Sequence, residues 1–400
     1  MATGQIAAAR YAVDLAVASN GQVALQNAGT ITTLDQGVRI VPAGEGISGF
    51  VYINNTGTIT AARNTAVTAT AGPDAASRVH LTNTGTILSD TLWRAVLRGG
   101  SLWVTNSGAM LGNGPNRLAL QTFGETTLNN SGRMQGNVSL NNARAEVVNT
   151  GLIDGPVFFG NTDDRLDTRG RRITGQVFGG NGNDSYFVDD TPVAIVEADN
   201  GGTDTVISIA ESIALPNGIE LLTLMSGARV GIGNAAANWI NGNGLATTLI
   251  GGGGNDDIFG AAGNDWIDGG TDDDQLYGGS EADTILGGLG NDIVFGGVGR
   301  DWVYGESGND TAYGDGGDDF VCGGAGDDIL FGGEGENALD GGTGNDTLDG
   351  GEGGSTMTGG LGSDSLVGGL GRDVLAYRAT GDARTARGAT SSPSSCAAPT

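Results

Sequence analysis

The chain has 400 residues, of which 76 are glycine and only 5 tryptophan, 7 tyrosine and 10 phenylalanine, too few large side chains to fill a conventional core. Acids outnumber bases 46 to 19, and the resulting charge of −27 disfavours nucleic acid and anionic membrane surfaces and favours cations. The single histidine, His80, and the two cysteines, Cys322 and Cys396, leave little room for zinc or Ser-His-Asp chemistry, for a thiolate cluster or for a disulfide framework.

At the N-terminus, MATGQIAAARYAVDLAVASNGQ lacks an uninterrupted apolar stretch behind a basic start, so no Sec signal peptide is expected. No apolar run in the chain reaches the roughly 20 residues of a membrane-spanning helix. Residues 1–178 are electrically ordinary, with 11 acids and 13 arginines. They repeat one phrase: QNAGTI, NNTGTI, TNTGTI, TNSGAM, NNSGRM and VNTGLI, around Asn27, Asn55, Asn83, Asn106, Asn130 and Asn149. The intervals of 28, 28, 23, 24 and 19 residues suit one coil of a parallel β-helix with three short strands. Asn-x-Gly supplies the turn, the asparagine side chain can bond the neighbouring coil, and the Ile or Met that follows opens a buried strand. The phrase resembles the right-handed parallel β-helices of bacterial adhesins and autotransporter passengers. Two features here bear on catalysis. His80, in SRVHLTNTG, is expected on a strand surface, and Asp163, Asp164 and Arg165 in GNTDDRLD form a weak candidate for calcium-assisted sugar chemistry.

Residues 179–250 read as a β-rich spacer with degenerate units: GGNGNDSYF from Gly179, GNAAANWIN from Gly233 and GNGLATTLI from Gly242. From Gly251 to Ala376 the sequence falls into fourteen nonapeptides without an insertion, and this stretch holds 26 acids, 2 arginines and 40 of the glycines. By composition it should be disordered, yet a disordered acidic linker has no reason to keep register. Position 1 is always glycine, position 4 is glycine in 12 units, position 6 is aspartate in 12, and position 8 is always apolar, from Ile258 to Leu375.

Glycine at this density excludes helix, and a nine-residue period fits no helical face. Each unit is therefore expected to be a glycine turn followed by a three-residue strand that points position 8 inward. Two units make one flat coil, and stacked coils bury the position-8 residues between two parallel sheets. Coils lie about 4.8 Å apart, so successive position-6 carboxylates repel unless a cation lies between them. A hard divalent ion fits, and calcium's tolerance of irregular oxygen geometry favours it over magnesium. Alternate units form the two edges of the roll. One edge carries Asp256, Asp274, Asp292, Asp310, Asp328, Asp346 and Asp364; the other carries Asp265, Asp283, Asp301, Asp319, then Asn337 and Ser355, then Asp373. A gap in calcium loading is expected beside Asn337 and Ser355. Glycines at position 1, among them Gly251, Gly269, Gly287, Gly296, Gly323 and Gly341, are candidate contributors to the metal sites. Asp272 and Glu281 replace glycine at position 4 and could add ligands or spoil a turn.

The run G-G-x-G-x-D-x-U-x resembles the RTX, or haemolysin-type, calcium-binding repeat. The resemblance implies a parallel β-roll, several calcium ions loaded outside the cell, and export through a type I secretion system. The last segment, residues 377–400, is basic, small and proline-containing, unlike the acidic and apolar ends usual in that family, and disorder is expected there. Cys322, at position 9 of its unit, is expected to face out as a free thiol. The chain thus reads as all-β, a β-helix followed by a calcium-binding β-roll, serving adhesion or scaffolding at a bacterial surface or outside the cell. An acidic polysaccharide or cell-surface glycan is the candidate partner. The alternatives are a calcium-dependent lyase or epimerase on an acidic glycan and a surface-layer lattice component.

Overall fold

In a computed structural model the described residues are 5–8, 11–17, 21–42, 49–62, 65–71, 77–89, 93–112, 118–141, 143–170, 172–198 and 201–376. The C-terminal segment expected to be disordered, with Cys396, lies outside them. Among the described residues there is no helix, and every strand pairing is parallel to a strand one coil away. The chain divides into two compact units, Met1–Val206 and Ile207–Thr400.

The first unit is a parallel β-helix with three strands per coil, such as Gly21–Asn27, Thr30–Thr33 and Gln36–Pro42. Strand Thr30–Thr33 pairs in turn with Thr58–Ala61, then Thr86–Ser89, then Ala109–Gly112, carrying Ile31, Ile59, Ile87 and Met110 into the interior. The turn asparagines do more than bond neighbouring backbone. Asn27, Asn55, Asn83, Asn106, Asn130 and Asn149 are all buried and form one continuous amide ladder, each Nδ2 donating to the next Oδ1 at 2.7–2.8 Å. The second Nδ2 hydrogen reaches main-chain carbonyls, as from Asn55 to Thr86. Such a ladder tolerates coils of unequal length because it fixes only one corner. Gly57 and its equivalents are obligatory beside it, since a Cβ on Gly108 would overlap the backbone of Gly85 and Thr84.

Asn83→Leu tests the ladder, because it strands the buried Asn55 donor and Asn106 acceptor at once. We expect a loss of about 2–5 kcal/mol, read from urea unfolding followed by Trp103 fluorescence. An unchanged midpoint would show that the asparagines are replaceable spacers.

The second unit is built from flat two-strand coils. Each strand pairs with the strand two nonapeptides further on, as Asp257 with Gln275 and Thr248 with Trp266, and the same step already holds from Ser212 to Val230. Position 8 fills the interior: Ile258, Ile267, Leu276, Ile285, Val294, Val303, Val321, Leu330, Leu348 and Met357 are all 0% exposed. The pattern fails at the last two units, where Leu366 is half-buried and Leu375 is 44% exposed, since the described roll offers no following coil to cover them. Position 9 forms outer rows. Phe259, Tyr277, Phe295, Tyr313 and Phe331 stack face to face at 4.6–4.9 Å, the coil spacing itself, so these rings spend their faces on one another and stiffen the sheet.

The opposite row corrects the expectation for Cys322. Its side chain does leave the interior, but it packs with Leu286 and Tyr304 of the two preceding coils on its row and with Trp266 and Phe320, leaving it 1% exposed. Nor is it a free thiol.

Candidate metal centre

The turns at the edges of the roll align the position-6 aspartates. Asp256, Asp265, Asp274, Asp283, Asp292, Asp301, Asp310, Asp319, Asp328 and Asp346 are at most 3% exposed, far more buried than an unpaired carboxylate tolerates. On one edge Asp256 N donates to Asp274 Oδ1 at 2.8 Å, Asp274 N to Asp292, Asp292 N to Asp310, Asp310 N to Asp328, Asp328 N to Asp346 and Asp346 N to Asp364. On the other, Asp265, Asp283, Asp301 and Asp319 follow the same rule. A counter-running ladder at position 5 pins the outer side of the turns: Asn291 N donates to Asp273 Oδ1, Asn309 N to Asn291 and Asp327 N to Asn309.

One oxygen of each inner carboxylate is thereby satisfied. The other, Oδ2, is buried without a hydrogen-bond partner in all ten aspartates just named. A Cβ added to Gly287 would lie 2.5 Å from Asp292 Oδ2 and 2.7 Å from the Gly305 carbonyl oxygen of the next coil; one added to Gly296 would lie 2.9 Å from Asp301 Oδ2 and 2.8 Å from the Gly314 carbonyl. The position-1 glycines, including Gly251, Gly269, Gly323 and Gly341, thus leave open a space where a carboxylate and a carbonyl oxygen converge. Calcium seeks this donor set, at about 2.3–2.6 Å per oxygen.

Burial pushes these carboxyls up, partly opposed by the backbone hydrogen bond each accepts. Asp256, Asp283, Asp310 and Asp319 reach about 7, Asp274 about 8, and Asp292, Asp328 and Asp346 about 6; Asp265 and Asp301 are raised as well. Flanking carboxylates, such as Asp256 and Asp292 around Asp274, add to the rise. Ionised together without a cation, they are costly.

Asn337 keeps the hydrogen bond, its Oδ1 accepting from Asp319 N at 2.9 Å, but places a buried, unpartnered Nδ2 where the aspartates place Oδ2. Ser355 turns its hydroxyl to the Gly350 carbonyl instead. Asp364 and Asp373 close the two edges by accepting from Asp346 N and Ser355 N. Asp272 and Glu281 adopt φ of 79° and 76° and so preserve the turn, and their carboxylates reach the amides of Gly254 and Gly263 in the preceding coil.

In the first unit His80 stands on the outer face between the rings of Tyr52 at 5.1 Å and Trp103 at 4.5 Å. Burial, then Arg78, lowers its pKa. Asp163, Asp164 and Arg165 do not converge. Asp163 accepts from Asn183 N, Asp164 is buried and accepts from the amides of Ala145 and Gly160, and Arg165 points outward to Glu146 and the Phe187 ring. Asp164 instead belongs to an aspartate ladder of this unit: Asp164 N donates to Asp184 Oδ1 and Asp184 N to Asp204 Oδ1, both at 2.7 Å. The signal was present in the sequence as three Gly-rich turns whose aspartates recur at equal intervals, but a nine-residue period does not find it.

Both units are parallel β-solenoids stitched at the turns by ladders of amide and carboxylate side chains. A family model for the RTX calcium-binding nonapeptide repeat matches eleven overlapping stretches between residues 232 and 375. Residues 232–375 of this chain therefore carry RTX-type nonapeptide repeats, and their buried aspartate rows fit calcium. A search of curated proteins returns no match.

Proposed function

We propose that this is a secreted or surface-associated calcium-binding protein, exported by type I secretion, whose roll folds when it meets calcium outside the cell. The observation that carries the reading is the series of ten buried Oδ2 atoms without a partner. The ions lie along the two edges, held by Asp256, Asp274, Asp292, Asp310, Asp328, Asp346 and Asp364 on one and by Asp265, Asp283, Asp301, Asp319 and Asp373 on the other, with carbonyl oxygens of the glycine turns completing each set. Residues 251–376 form the loading run, residues 179–250 lead into it, and residues 1–178 present an adhesive or scaffolding surface. Low calcium in the cytosol leaves the acidic block unfolded and exportable, and the roughly 10⁻⁴ to 10⁻³ M range typical of extracellular modules folds it.

The adhesive reading rests on one outer face of the β-helix, where Arg78 lies 5.7 Å from the rings of both Phe50 and Trp103 beside the Tyr52–His80–Trp103 stack. Rings with a cation among them suit an acidic glycan. Binding of the calcium-loaded chain to arrayed uronate polysaccharides should fall at least tenfold in Arg78→Ala with folding unchanged. Equal binding by the variant would remove this face from the account.

The gap at Asn337 has its own test. Asn337→Asp restores the missing oxygen, and we expect the calcium-loaded melting midpoint to rise by about 2–4 °C, the shift of about 1 kcal/mol in a unit of this size. In chelator the roll should stay unfolded in both chains, so neither should show a melting transition of the roll there; a roll that folds without calcium in Asn337→Asp would mean that the substitution acts without the metal.

A further inference from the structure

Outside the stretches that the family model matches, the first unit gathers three carboxylates at one turn, one of them from the isolated nonapeptide that begins at Gly179. Asp184 and Asp204 occupy successive coils, and Glu197 comes from the chain between them. One carboxylate oxygen from each lies within 4.8 Å of the other two. Asp184 is 1% exposed; its Oδ1 accepts from Asp164 N, and its Oδ2 is buried with no partner. Glu197 is oriented by the Tyr186 hydroxyl, which donates to Oε1 from a ring that is itself 1% exposed. The pocket is kept open by Gly179, where a Cβ would collide with Glu197 Oε1 and the Tyr186 hydroxyl.

We propose that Asp184, Glu197 and Asp204 form a separate site for a hard divalent cation, calcium foremost, in the β-helical unit. Three carboxylate donors converging on one buried point leave an excess of negative charge that a divalent ion offsets, and an all-oxygen set selects calcium over softer metals. The site differs from those of the roll in two ways. It spans a coil longer than two nonapeptides, and its third carboxylate is supplied by a segment other than the glycine turn. Its consequence is local: the ion ties the strands Ser185–Val188 and Ala194–Val196 and the turn before Thr205 together.

Hydrogen exchange read by mass spectrometry on the full chain tests this with calcium chloride, magnesium chloride and chelator as the three conditions. In the wild type, peptides within residues 176–206 should gain at least tenfold protection with calcium over chelator. Glu197→Gln, which keeps an oxygen for Tyr186, and Asp184→Asn, which keeps one for Asp164 N, should each lose that gain. In both variants peptides from 251–376 should keep theirs, which separates this site from the roll. No calcium-dependent protection at 176–206 in the wild type, or full retention of it in both variants, would overturn the proposal. Loss of the calcium response at 251–376 alone would count against the roll and leave this site standing.

Discussion

Removing calcium from the full chain at pH 8 should abolish most of the β signal of the roll in far-UV circular dichroism, and restoring calcium to about 10⁻³ M should return it cooperatively. Each of the ten buried carboxylates carries an Oδ2 with no partner, and an uncompensated buried charge costs several kcal/mol. A domain's whole margin is about 5–15 kcal/mol, so a few such charges suffice to unfold the array. Calcium reverses the sign, since each independent site at a hundredfold excess over its Kd adds about 2.7 kcal/mol. Magnesium at equal concentration should not substitute, because it dehydrates reluctantly and demands a near-octahedral set. The transition should be all-or-none rather than graded, since a coil buries its position-8 side chain only against its neighbours.

Acid should partly replace calcium. In the metal-free fold Asp256, Asp283, Asp310 and Asp319 are pushed up to about 7 and Asp274 to about 8, chiefly by burial, whereas an unfolded aspartate titrates near ~3.9. A raised carboxyl pKa means that the fold prefers the neutral form. Its contribution to stability is fully present below about pH 4 and is lost as pH rises through about 6 to 8. The chelated chain should therefore hold more β structure at pH 5 than at pH 8, by circular dichroism in matched ionic strength. Calcium affinity should run the opposite way and weaken as pH falls through the same window, because binding must displace those protons. A chelated chain equally unfolded at both pH values would mean that carboxylate burial is not what opposes the metal-free fold.

Much of this architecture was legible because solenoid coils repeat their constraints. The invariant apolar residue at position 8 named the interior from Ile258 to Met357, and the alternation of units named the two aspartate edges before any pairing was seen. Asn27 and its five successors marked a corner of each β-helical coil in the same way. What the sequence hid depends on neighbours at a distance of one coil. Cys322 looked exposed because position 9 leaves the interior, yet Tyr304, one coil earlier, and Leu286, two coils earlier, cover it from the same row. The asparagines looked like partners for backbone, and only stacking shows each amide meeting another amide. Asp164 looked like one member of an acidic loop because its companions in the ladder fall outside the nine-residue period, and Glu197 has no repeat to announce it. The failure of burial at Leu366 and Leu375 is of the same kind, since a periodic pattern cannot mark the coil that no described coil follows.

Whether calcium ions lie between successive coils, beside the aspartate Oδ2 atoms, is decided by anomalous scattering from crystals of the full chain grown in calcium. Two rows of peaks, one along each edge of the roll, each within about 2.6 Å of a position-6 carboxylate oxygen, are the predicted result, with a break beside Asn337 and Ser355. Ordered ladders with no peaks at saturating calcium would contradict the account, and a full-occupancy ion between the Asn337 and Ser355 turns would refute the gap.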